Sequence, residues 1–219
     1  MKITKLGHCC LLIETKGKRI LTDPGSYTVE THSKLTDIDY ILFTHEHQDH
    51  FHLDSLKVIL QYNPYAVVYA NNSVSELLNA SEVKHIQINH NESLSLDTVQ
   101  VLGFGEKHAQ MHSSIPRSSN IGFFIDNRLW YPGDALTDFK EKVEILALPV
   151  TGPWIKIGEA IDYALALKPK ITFPVHDGQR LNSSHSLPAR VLSAQNLEFF
   201  PMVEGEVRYV LPVLVSCVV

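Results

Sequence analysis

Cysteine is scarce in this chain of 219 residues, with three at positions 9, 10 and 217. An odd count that includes two neighbours makes a poor disulfide framework, because pairing adjacent cysteines strains the peptide between them. Free thiols in a reducing cytosol are the expectation. No C-x-x-C pair occurs, so no metal is assigned to the thiols, and Cys9 and Cys10 read as strand residues. Long apolar runs are also missing. The C-terminal L-P-V-L-V-S-C-V-V is far too short to span a bilayer and reads as a last strand or a sticky tail. The chain opens M-K-I-T-K-L-G-H, without the charged-then-apolar plan of a secretory leader. Basic runs are absent, and 19 Lys and Arg against 24 Asp and Glu leave a formal net charge of −5. Nucleic acid and anionic membrane are therefore poor partners. These absences lead to the expectation of a cytoplasmic protein that acts on a small molecule. The length suits one domain over residues 1–219.

What is present is ordinary globular material, 44% hydrophobic and 20% charged. Short β-rich runs alternate with helical stretches, with no linker or low-complexity segment between them. Strands are expected over residues 2–6, 10–14, 19–22, 38–44, 66–70, 83–88, 99–104, 121–125, 129–131, 144–149 and 171–175. The run I-D-Y-I-L-F-T over 38–44 is nearly continuous in apolar residues, as in a strand covered on both faces. Helical spacing marks 53–60, 73–79, 158–167 and 187–195, and residues 197–200 and 207–211 are expected to close the chain as a hairpin around Glu204-Gly205.

Histidine is the residue in excess, at twelve. Between Thr44 and His52 the chain reads T-H-E-H-Q-D-H-F-H, so that His45, His47, Asp49 and His50 form H-x-H-x-D-H. Neutral imidazole and carboxylate are the donors that zinc and related divalent ions take where cysteine is absent. The pattern follows directly on an expected strand. His108, Asp134 and His176 likewise follow expected strands, so four candidate donor groups fall just beyond the C-terminal ends of four strands. In layered α/β folds that rim is where loops converge into sites.

On these residues the chain resembles the metallo-β-lactamase superfamily. The resemblance covers T-D-P at 22–24, T-H-E-H-Q-D-H at 44–50, G-F-G-E-K-H ending on His108, Y-P-G-D at 131–134 and P-V-H at 174–176, in the superfamily's order. The opening L-G-H-C-C-L-L-I-E and the later L-P-V-T-G-P look most like its lactonase-like branch of small metal-dependent hydrolases, which includes an ascorbate-6-phosphate lactonase and many members without an assigned substrate. The resemblance implies a four-layer αββα sandwich of two mixed sheets flanked by helices. It also implies two divalent ions, with zinc first and manganese or iron suited to the same donors. His45, His47 and His108 would bind the first ion, Asp49, His50 and His176 the second, and Asp134 would bridge them. Asp23 matches the superfamily's first-motif Asp and would orient a ligand histidine.

The implied chemistry is hydrolysis of an ester, lactone or phosphodiester bond in a small molecule, with or without a negative charge, by a hydroxide held between two ions. Asp134 or Asp49 would accept the water's proton, and His8 and His185 are candidate donors to the leaving group. Lys107, Arg117 and Lys156 are candidate grips for an anionic group, each set against the plainer reading of a solvated surface charge. His112 rivals His108 as a ligand. His52 is expected to cap or to face solvent, and His32, His85 and His90 read as surface residues. Two other classes stand beside hydrolysis: a di-iron redox or oxygen-handling protein on the same fold, and a non-catalytic metal-dependent binding protein. The redox relatives replace the motif's second His by a carboxylate, whereas His47 stands here. The apolar terminus and scattered surface hydrophobics permit a homo-oligomer.

Overall fold

The computed structural model describes residues 1–178 and 183–211. The tail read from the sequence beyond Leu211, with Cys217, lies outside these residues. Strands β1 (Lys2–Gly7), β2 (Cys10–Thr15) and β3 (Lys18–Thr22) form an antiparallel meander. The short helix α1 (Val29–His32) leads into β4 (Tyr40–Phe43), and from there the same sheet runs parallel. Helix α2 (Leu53–Tyr62) crosses to β5 (Val67–Ala70), and α3 (Asn72–Ala80) crosses to β6 (Ile86–Gln87).

The second half repeats the plan. Strands β7 (Glu92–Leu96), β8 (Val99–Phe104), β9 (Gly122–Ile125) and β10 (Leu129–Tyr131) are antiparallel neighbours. Then β11 (Ile145–Pro149), β12 (Ile171–Val175) and β13 (Glu198–Phe199) run parallel to β10, with α4 (Ile157–Leu167) and α5 (Ser183–Ala194) as crossovers. Strand β14 (Val207–Tyr209) returns to the first sheet and pairs antiparallel with β1, so that among the described residues each sheet has seven strands.

Side chains alternate across each strand and sort into layers. Leu11, Ile13 and Leu42 meet Phe123, Ile145 and Phe173 between the two sheets. Their sequence neighbours Leu12, Ile41 and Phe43 turn outward onto Leu56 of α2 and Val74 of α3. On the far side Leu146 and Leu148 meet Ala160 and Ala164 of α4 and Leu192 of α5. This is the expected four-layer sandwich of two mixed sheets between helices, and it explains why residues 38–44 are apolar on both faces.

The expected terminal hairpin does not form. Strand β13 extends the second sheet beside β12, and β14 extends the first sheet beside β1. Lys5 of β1 is the reason, since its carbonyl accepts from Gly205 N (2.8 Å) and its amide donates to Glu206 O (3.0 Å), drawing the chain across to the first sheet. Strand β7 carries no expectation from the sequence: E-S-L-S-L is half polar and sits on a sheet edge, with Leu96 buried and Ser93 and Ser95 exposed.

Candidate metal centre

Strands β1, β3 and β4 end on the same rim as β8, β10 and β12, and the residues that follow them converge there. The H-x-H-x-D-H loop after β4 is held from beneath by the segment after β3. Ser26 N donates to Gln48 O (2.7 Å), and His50 N and Phe51 N donate to His47 O. A Cβ on Gly25 would lie 1.9 Å from the Asp49 carbonyl oxygen, so no other residue fits at that crossing. His32 supports the same turn. It is fully buried, with Nε2 3.0 Å from Gly25 O, and the surface role expected from the sequence is corrected. Asp134 is placed by the turn after β10. Its N–H donates to Asn120 Oδ1 (3.0 Å), and Gly133 has φ +64, where a Cβ would lie 2.4 Å from that same oxygen.

One buried carboxylate sets the orientation of the first ring. Asp23 Oδ2 accepts from Thr44 Oγ1 (2.7 Å), so the Thr44 hydroxyl accepts from His45 Nδ1 (3.0 Å) and the lone pair of His45 Nε2 faces inward. His50 Nδ1 donates to the same Asp23 oxygen (2.8 Å), which leaves its Nε2 facing inward as well. Tyr131 Oη donates to Asp23 from below (2.6 Å). His108 Nδ1 donates to Ala109 O, and Arg117 Nε braces the His108 carbonyl at 2.7 Å. His47 is turned the other way, with Nε2 at Ser118 Oγ (3.3 Å) and Nδ1 inward, 3.1 Å from His45 Nε2.

The inward atoms form two groups that share a wall. His45, His47, His108 and Asp134 bring their donor atoms within 4.8 Å of one another. His112 is not among them; it is exposed and bonds Ser114. Around the other position, His176 Nε2 lies 2.9 Å from Asp134 Oδ2 and 3.4 Å from Asp49 Oδ2. His50 Nε2 lies 3.1 Å from Asp134 Oδ1. Donors bound to one zinc at about 2.0–2.2 Å stand about 3.4 Å apart in a tetrahedron, so these spacings fit an ion. His50 Nε2 and Asp134 Oδ1 are buried, face each other, and make no hydrogen bond. Buried polar atoms left unpaired mark a missing partner.

Electrostatics agree. Burial pushes the His45 and His47 rings toward the neutral form, the one that ligates. Burial also opposes charge on Asp134, but His50 and His176 outweigh it and hold the carboxyl well below its usual range. Asp49 is likewise held low, by hydrogen bonds from His176 and His8 against its own burial. His50 and His176 are raised well above an ordinary histidine, burial being overcome by Asp134, so the spot attracts positive charge.

His8 and His185 part company. His8 Nδ1 accepts from Gly178 N (3.1 Å), so its Nε2–H donates to Asp49 Oδ2 (3.0 Å), and the ring lines a cavity of about 300 Å³ with Asp49, Asp134 and His176. His185 stands in α5 outside that lining, buried, with Nε2 2.7 Å from Asp177 Oδ2. Lys5, 1% exposed, donates to the same Asp177 oxygen and to Pro174 O (2.9 Å), so a buried ionic chain ties the end of β12 in place. Neither Lys5 nor Asp177 carries a signal in the sequence. Lys107, Arg117 and Lys156 do not line the cavity. Its upper walls are Tyr27, Met111 and Trp154, and the Trp154 ring lies 5.5 Å from His108 and 5.6 Å from His176. Cys9, expected on a strand, occupies the turn between β1 and β2 beside His8.

Residues 2–176 match the beta-lactamase superfamily domain. The chain is 36% identical over 182 residues to Protein Rv0786c of Mycobacterium tuberculosis, covering 80% of this chain and 84% of that protein. It is 29% identical over 198 residues to a UPF0173 metal-dependent hydrolase of Nanoarchaeum equitans, covering 80% and 83%. Among solved structures the fold is similar to Igni18, a metallo hydrolase of Ignicoccus hospitalis, with a TM-score of 0.74 at 20% identity over 94% of this chain and 97% of that one. With a rim of histidines and aspartates able to hold metal, the chain belongs to the beta-lactamase superfamily, among the metal-dependent hydrolases of the metallo-β-lactamase fold.

Proposed function

We propose that the chain holds two divalent ions, zinc by preference, and hydrolyses an ester, lactone or phosphodiester bond in a small molecule. His45, His47 and His108 hold the first ion, Asp49, His50 and His176 the second, and Asp134 reaches both. One observation carries the reading: the Asp134 carboxylate stands between the two histidine sets, 3.8 Å and 3.3 Å from the inward nitrogens of His45 and His108 and 3.1 Å and 2.9 Å from those of His50 and His176.

When bound, the ion pair supplies a Lewis acid for the substrate oxygen and an acidified water for attack. The protein's own groups do the rest. Asp23 and Thr44 fix the tautomers of His45 and His50. Tyr27 and Trp154 wall the cavity. Asp49, with its side chain 22% exposed against 3% for Asp134, is the carboxylate that meets the incoming water. His8, whose Nε2–H donates to Asp49, can hand that proton to the leaving oxygen, and Asp49 then passes the water's proton to the vacated nitrogen. His185 serves as a positioning group through Asp177. A cavity of about 300 Å³ suits a small substrate. Lactones and phosphorylated sugar acids are the first compounds to try, by likeness to the lactonase-like branch.

The test is metal analysis with a panel of lactones, esters and phosphodiesters, run after chelation and after reloading with zinc or manganese. Two ions per chain and turnover that returns with metal are expected. Iron with an oxo-bridge absorbance would turn the reading to redox chemistry. Tight ligand binding without metal-dependent turnover would turn it to a binding protein.

A further inference from the structure

Cys9 is 1% exposed and lies among the donors of the second set. Its Sγ forms a group with one nitrogen each from His8, His50 and His176, all four residues buried and all four atoms within 4.8 Å of one another. Two nitrogens of these rings, His50 Nε2 and His176 Nδ1, are buried without a hydrogen-bond partner. Three elements pin the turn that carries the thiol. Tyr131 Oη, whose hydrogen goes to Asp23, lies against Cys9 O (2.9 Å), Thr22 Oγ1 donates to the same carbonyl (3.4 Å), and His176 N donates to His8 O (3.1 Å). The neighbouring thiol takes no part, since Cys10 turns to the opposite face of the sheet and packs beneath the helices with Leu12 and Leu21.

Resting on the two-ion reading above, we propose that Cys9 Sγ is a thiolate ligand of the second ion. The S–metal bond forms as the S–H proton leaves to solvent, as it does when any thiol takes up a metal. The two sites then differ in softness. The first offers only nitrogen and oxygen, whereas the second adds sulfur and favours zinc, cobalt or cadmium over manganese and magnesium.

Cobalt(II) loading of the chelated full-length chain tests this. A near-ultraviolet sulfur-to-cobalt charge-transfer band is expected with the second equivalent. Cys9→Ser should abolish the band and keep the visible absorption of nitrogen- and oxygen-ligated cobalt, and Cys10→Ser should keep both. X-ray absorption of the unmutated protein loaded with two zinc equivalents needs no variant to fold, and should show one sulfur per two zincs at about 2.3 Å. Two zincs bound with only nitrogen and oxygen neighbours, or a cobalt band that survives Cys9→Ser, overturns the thiolate and leaves the two-ion reading intact. A chain that retains no zinc overturns both.

Discussion

Asp23 touches no proposed ion, yet it governs the donors of both. Its Oδ2 receives Thr44, His50 and Tyr131, and its Oδ1 receives Thr44 N at 2.8 Å, all in full burial. Asp23→Asn would put an amide N–H where three donors now point or, rotated, against Thr44 N, and in both cases would remove the charge that fixes the His45 and His50 rings. The expected outcome is a loss of zinc affinity of about 10–100-fold, read by competition with a chromophoric chelator. Unchanged affinity would remove Asp23 from the account. At this scale the sequence is most informative where donors are contiguous. His45, His47, Asp49 and His50 are legible because one loop carries all four, and Asp23 is legible only through resemblance. Cys9 escapes notice when thiols are judged by their spacing to other thiols, because its companions are histidines 41 and 167 positions away in sequence, at His50 and His176. Lys5 escapes because lysine is almost never fully buried, and nothing local distinguishes one that is.

Elements are legible where one periodicity runs long enough. The run over 38–44 contains β4 and the helical spacing over 158–167 lies in α4, whereas β7 and the placement of β14 depend on partners far along the chain. One ion pair ties such distant pieces together. Arg128, before β10, donates to Glu144 (Nε, 2.6 Å), before β11, and also to Val210 O and Leu211 O at the end of β14. Hydrogen bonds from Arg128 hold the Glu144 carboxyl below its usual range, against a lesser push from burial. A carboxylate with a depressed folded pKa contributes its full stability above the unfolded value, about 4.3 for Glu, and loses it as pH falls through the folded one. Glu144→Gln should therefore flatten the fall in urea midpoint between pH 5 and pH 3 (both about a unit from that value). Parallel pH profiles for the variant and the unmutated chain would refute the assignment.

Across the whole molecule, the donors come from both halves of the repeat. His45, His47, Asp49 and His50 belong to the first sheet's loops, and His108, Asp134 and His176 to the second's. A metal held by these donors would therefore join the sheets. Metal at a thousand times its dissociation constant stabilises by about 4 kcal/mol, and a chain of this size gains about 2–4 °C per kcal/mol. Calorimetry should show a melting temperature that falls by roughly 10 °C on chelation and recovers with zinc. Coincident transitions would show that no metal bridges the halves.

The division of donors also orders events during synthesis. A ribosome that has released only β1 to β6 exposes His45, His47, Asp49 and His50 without their partners. The first position gains its last donor when Asp134 emerges, and the second waits for His176. On the proposed two-ion reading, metallation of the nascent chain would be a late and sequential event, and the half-made protein would present a histidine-rich hook that lacks the donors of its other half.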